Sequence, residues 1–188
     1  AHLREALDLD PLSPILAVSQ GLPARFSGDY AKARRIFAAA LEAHPSFPFA
    51  EYQIALVDSA LGHWDESARR FERLQPLLGP VLVGAPLAYV YAKSGHRDAA
   101  LALRADLERL SAVQYVPPLV FSDIAIGFGD HDEALRWVQR ALTVHDDFLV
   151  TLAVDHHHSA LRGDPRFEAV LSRAGLRPPP PAPAAAAP

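Results

Sequence analysis

The chain of 188 residues is half hydrophobic, so it is long and apolar enough to bury a core of its own. Its formal charge of -4 excludes the global basic field that draws proteins onto nucleic acid or anionic membranes. Cysteine is absent, which excludes disulfides, thiolate zinc sites and a cysteine nucleophile while leaving the redox compartment open.

Ala1 to Leu9 reads as a helical run that opens in mid-element. The absence of Met and Asn, and sixteen Arg against Lys32 and Lys93, suggest a GC-rich bacterial genome. The natural start is therefore expected upstream, and the chain is expected to be a fragment or a processed product. Pro11 and Pro14 follow, and they recur 34 residues later as Pro45 and Pro48, at places suited to a loop or a first helical turn.

From there the chain is periodic. Gly28, Gly62, Gly95 and Gly129 fall 34, 33 and 34 residues apart. Each precedes a polar stretch, such as Gly62-His63-Trp64-Asp65, that gives way to an amphipathic helix. One helix is expected to stop and another to start at each glycine. Seven residues before the glycines stand Gly21, Ala55, Ala88 and Ser122, and five after them Ala33, Ser67, Ala100 and Ala134. Small side chains at both places allow helix backbones to approach closely. Core bulk is expected from Ile54, Leu87 and Phe121 eight before, from Phe37, Phe71 and Val138 nine after (Arg104 excepted), and from Ala40, Leu74, Leu107 and Ala141 twelve after.

The stretch from Leu74 to Ala92 carries no charge, but Pro76, Gly79, Pro80, Gly84 and Pro86 interrupt it. A buried loop and helix are expected there, with no membrane insertion. Beyond the last periodic unit, Phe148 to Val154 and Pro165 to Ala174 read as two further helical pieces. The second is a cap that hides an exposed end through Phe167, Val170 and Leu171. The tail from Arg177 to Pro188 is Pro/Ala low complexity and is expected to be extended and disordered.

A unit of about 34 residues with small, small and aromatic side chains at set places resembles the tetratricopeptide repeat. From Tyr115 onward the chain is similar to modules at the ends of bacterial multidomain signalling proteins: winged-helix regulators, Ser/Thr kinases and class III nucleotide cyclases. The resemblance implies an all-α, right-handed superhelical solenoid of antiparallel hairpins closed by a capping helix. Its expected parts are residues 1–12, the second helix of a truncated repeat; 13–46, 47–79, 80–113 and 114–147, four full repeats; 148–176, capping helices; and 177–188, a disordered tail. Pro23 and Pro86 fall inside first helices and predict irregularity in both. Asp155-His156-His157-His158 departs from the Asp-Pro-Arg-Phe-like turn common in such modules.

The resemblance also implies a concave groove lined by first helices. Carried onto this chain, the groove-facing places include Ile15, Val18, Leu22, Arg25, Phe49, Tyr52, Leu56, Leu82, Tyr89, Lys93, Leu119 and Asp123, with Phe49, Tyr52 and Tyr89 as aromatic anchors. The basic and Asn-bearing clamp of chaperone-binding relatives is not reproduced. The expected role is a non-catalytic scaffold binding a peptide or helix from a protein partner or from another domain of its own chain, with homodimerisation through the truncated repeat as a variant. The alternative is a sensor module of a bacterial transcription regulator or signalling enzyme whose effector domain lies upstream. Cytoplasm is the expected compartment and periplasm the alternative.

Chemical signatures are sparse. No G-x-S-x-G, phosphate loop or H-E-x-x-H is present, so no enzyme and no cofactor are expected. Consecutive helical residues point about 100° apart, so His156, His157 and His158 cannot all ligate one ion from a helix. No metal site is expected, and His63, His96 and His131 read as solvated turn residues. Asp146, Asp147 and Asp155 read as helix starters or loop carboxylates.

Overall fold

The computed structural model describes residues 2–177, with the side chain of Arg4 left aside. The expected Pro/Ala tail lies outside the described residues from 178 onward. Among the described residues every regular element is helical and no strand occurs. Helices α1 (His2–Leu9), α2 (Pro14–Ser19) and α3 (Leu22–Phe26) are short. Seven longer helices follow: α4 (Tyr30–Ala43), α5 (Pro48–Ala60), α6 (Trp64–Leu78), α7 (Pro80–Lys93), α8 (Arg97–Ser111), α9 (Pro118–Phe128) and α10 (His131–Val144). Two 3-10 turns, Asp147–Thr151 and His157–Leu161, lead to α11 (Pro165–Arg173). From α4 to α10 each helix packs on its sequence neighbour, and α7 also packs on α9. Neighbours joined by such short turns and lying side by side must run antiparallel.

The four turn glycines end helices by one mechanism. Gly28, Gly62, Gly95 and Gly129 hold φ between 77° and 86°, a region that costs a side-chain-bearing residue steric strain. The next residue then donates its N–H to the carbonyl five positions back. These bonds are Asp29 to Ala24 (2.9 Å), His63 to Asp58 (2.9 Å), His96 to Tyr91 (2.8 Å) and Asp130 to Ala125 (2.9 Å). Asp29 and Asp130 also start the following helix, accepting from the Lys32 and Glu133 amides.

Both small columns are buried throughout. In two hairpins they are also tied together: the Ser67 hydroxyl donates to the Ala55 carbonyl at 2.8 Å, and the Ser122 hydroxyl to the Ala134 carbonyl at 3.2 Å. Gly21 is required by volume, since a Cβ there would overlap the Phe37 ring. Phe37, Phe71 and Val138 are fully buried. Arg104, the exception in their column, reaches outward to pair twice with Glu133, at 2.6 and 2.9 Å.

The two prolines inside first helices behave differently. The chain breaks before Pro23, which falls in the first turn of α3 after the bend at Gln20 and Gly21. Helix α7, by contrast, runs unbroken through Pro86. Pro86 has no N–H for the Leu82 carbonyl one turn earlier, and the Tyr52 hydroxyl from α5 donates to that carbonyl instead, at 3.4 Å. No helix among the described residues is long and apolar enough to cross a membrane.

The region expected as capping helices over 148–176 is different in form. Only α11 is α-helical, and Phe167, Val170 and Leu171 are its buried face. The stretch 147–161 instead holds the two 3-10 turns, each preceded by a carboxylate: Asp146 accepts from the Phe148 amide and Asp155 from the His157 amide, both at 2.9 Å. The second turn packs on α9 and α10, which places the His triplet against the first helices.

Candidate functional site

A cavity of about 280 Å³ lies between α3, α5, α7, α9 and the segment 148–158. Leu22, Phe26, Phe49, Leu56, Leu82 and Leu119 supply apolar wall, and Phe148 and Leu152 add to it from the closing segment. The Phe49 and Tyr52 rings stack at 6.0 Å, one turn apart on α5. Polar groups gather on the remaining wall: Arg25, Gln53, Asp123, Asp155, His157 and His158.

Leu22, Arg25, Phe49, Tyr52, Leu56, Leu82, Leu119 and Asp123, all expected in the groove, border this one cavity. The other four expected residues do not. Ile15 is exposed on α2, and Val18 is buried in the core that α2, α4 and α5 share. Tyr89 lies beneath the histidine triplet, with ring centroids 3.9 Å from His157 and 6.3 Å from His156. Lys93 is exposed, its Nζ 5.6 Å from the Tyr89 ring. Residue spacing along the first helices could not show that a later segment covers Tyr89.

No protein-family model and no curated protein matches the chain. Its chemistry is therefore read from the cavity wall.

The closing segment reaches far back along the chain. His156 Nε2 lies 3.4 Å from the Ser59 hydroxyl, and its ring packs edge-on against Tyr30 at 6.5 Å. His157 and His158, buried and adjacent in sequence, both turn Nδ1 toward Asp123 and Asp155. Asp123, Asp155 and His157 each place one donor atom within 4.8 Å of the other two. Sequence reading missed this grouping because Asp123 and the triplet lie on different elements. The only hint was a dense polar triplet where an apolar cap was expected.

Burial and charge act together here. Burial opposes ionisation of Asp155, but the three imidazoles facing it, His158 foremost, hold its carboxyl well below the usual range. Burial, then the neighbouring His157, pushes His156 well below the ordinary imidazole value. Burial also works against charge on His158, yet Asp123 and then Asp155 raise it. Arg25 is lowered by burial, with Asp155 opposing. Tyr52 is raised by burial, and burial followed by Asp123 pushes Tyr89 up to about 12. The turn histidines His63, His96 and His131 are exposed, and Asp147 is exposed as well.

Proposed function

We propose that the chain is a non-catalytic interaction module of the tetratricopeptide type, a superhelical array whose first helices form a concave groove that receives a short apolar peptide segment. The observation that carries this reading is the convergence of eight expected groove residues on one cavity, although they come from four successive first helices. Its wall is mainly aliphatic and aromatic, and partly exposed side chains such as Leu22, Phe49 and Leu82 offer contact area at low entropic cost. The closing segment fills part of the groove, so the space suits a few side chains of an extended segment better than a whole helix.

The enclosed polar wall favours a second reading, in which the module senses a small effector for a bacterial regulator or signalling enzyme. Arg25 Nε, Gln53 Oε1 and Asp123 Oδ1 are buried without a hydrogen-bond partner among the described residues, and a polar ligand would satisfy them.

The two readings separate on one experiment. Random peptides displayed on phage are selected against the immobilised chain, and the winners are measured by calorimetry against Phe49→Ala. Apolar peptides that lose more than about 1 kcal/mol of binding support the groove reading. Failure to select any peptide, or equal binding by the variant, removes it.

A further inference from the structure

We infer that Asp123, Asp155 and His157 form a binding site for a divalent transition-metal ion of the zinc type at the wall of the cavity. The site goes beyond the peptide reading and does not depend on it.

The first argument is distance. His157 Nδ1 lies 3.4 Å from Asp123 Oδ1 and 3.8 Å from Asp155 Oδ1. A charged N–H to carboxylate hydrogen bond closes to about 2.7–2.9 Å, so these separations are not hydrogen bonds. They approach the edge of a coordination shell instead: with bonds of about 2.0–2.2 Å, ligand atoms in a tetrahedral set lie roughly 3.3–3.6 Å apart.

The second argument is direction. His158 is 4 % exposed, and its Nδ1 points at the same two oxygens, from 3.5 Å and 3.9 Å, without a hydrogen-bond partner. Its other nitrogen, Nε2, lies 3.1 Å from the Ser122 hydroxyl. That hydroxyl already spends its one proton on the Ala134 carbonyl, so it accepts from His158 Nε2–H. The other ring nitrogen, Nδ1, then faces the two carboxylate oxygens from beyond ordinary hydrogen-bond length. Two carboxylates that converge with an imidazole nitrogen in a largely enclosed site favour a cation among them.

The donor set decides the class of ion. Two carboxylate oxygens with an imidazole nitrogen suit zinc and its first-row neighbours, and the absence of thiolate disfavours copper(I). Three protein ligands leave at least one coordination position, and all three residues border the cavity, so that position faces the space where a ligand would sit. Ser122 fixes the His158 ring beside the two carboxylates, where His158 can itself act as an outer-shell partner of the ligands.

The test uses the full chain, stripped with a chelator and dialysed, then titrated with zinc chloride by calorimetry. One saturable site per chain is expected. Asp123→Asn keeps the size of a partly exposed side chain and should weaken that site by about ten-fold or more. His63→Gln, in an exposed turn, should leave it unchanged. Cobalt(II) serves as a second probe, since its visible absorption reports coordination by protein nitrogen and oxygen and should be lost in Asp123→Asn while the helical far-ultraviolet spectrum is kept. Absence of a one-to-one site overturns the inference, and so does unchanged zinc and cobalt binding by Asp123→Asn. Either failure leaves the peptide reading standing, because the peptide measurement rests on Phe49 and on none of the three proposed ligands.

Discussion

The hairpins between Tyr30 and Val144 and the closing segment from Phe148 to Leu161 share an apolar core but differ in the contacts that fix their places. Each hairpin repeats one solution: a left-handed glycine, a column of small residues on either side, and a large apolar residue locked behind them. The closing segment repeats nothing. Its contacts to Ser59, Asp123 and Tyr89 are polar or aromatic, and they join residues far apart in sequence. Leu152 and Leu161 anchor the segment in the same apolar core, while the polar chemistry of the cavity depends on the part that occurs once.

The contrast is easiest to break in the core. Phe37→Ala and Phe71→Ala should each cost roughly 3 to 5 kcal/mol in chemical denaturation, the usual range for truncating a buried Phe. Next in size is Gly21→Ala, where the added methyl meets the Phe37 ring. A loss of about 1 to 3 kcal/mol is expected, and a neutral result would show that Phe37 has room to move.

Tyr52→Phe probes one bond between helices. Removing the hydroxyl that serves the Leu82 carbonyl should cost about 0.5 to 1.5 kcal/mol. The cost should shrink in a Pro86→Ala background, where residue 86 regains its own N–H. Equal costs in both backgrounds would show that the hydroxyl does not stand in for the missing donor.

The partly buried His156 of the closing segment should matter least to global stability. His156→Ala is expected to cost less than about 1 kcal/mol, and a loss as large as that of Phe37→Ala would show that its contacts to Ser59 and Tyr30 hold the hairpins together. Its effect should appear in the tyrosines. Tyr89, raised by burial and then by Asp123, and Tyr91, raised by burial and then by its 2.7 Å bond to Glu72, are both pushed up to about 12. A raised folded value means that the stability from these two phenols is fully present below the ordinary value of about 10. It is lost as pH rises through 12. In a spectrophotometric titration, His156→Ala should bring Tyr89 down toward the ordinary value and leave Tyr91 where it is. Movement of both would mean that the variant loosens the hairpins too.

The contrast also governs what could be read from sequence. The glycines, both small columns and the apolar columns follow local period, so four copies in one chain expose them. The same register selected eight cavity residues from Leu22 to Asp123. Pro23 and Pro86 look alike in sequence, yet one helix breaks and the other does not, because a partner for the Leu82 carbonyl comes from a different hairpin. The same register points Tyr89 at the groove, and only the fold shows the His157 ring tilted over it. The triplet has no second copy to align, and its carboxylate partner Asp123 sits on another helix. That pairing is a property of tertiary structure alone.

The separation of 97 positions between Ser59 and His156 has a consequence for the order of assembly. Hairpins closed by contacts between sequence neighbours form quickly, whereas a contact across so long a loop waits for the intervening chain to be in place. During synthesis the first helices would therefore stack while their inner face is still bare, and Tyr89 would stay wet until the triplet had been made. A newborn chain in that interval presents an uncovered aromatic strip, which is when a chaperone would find it easiest to hold.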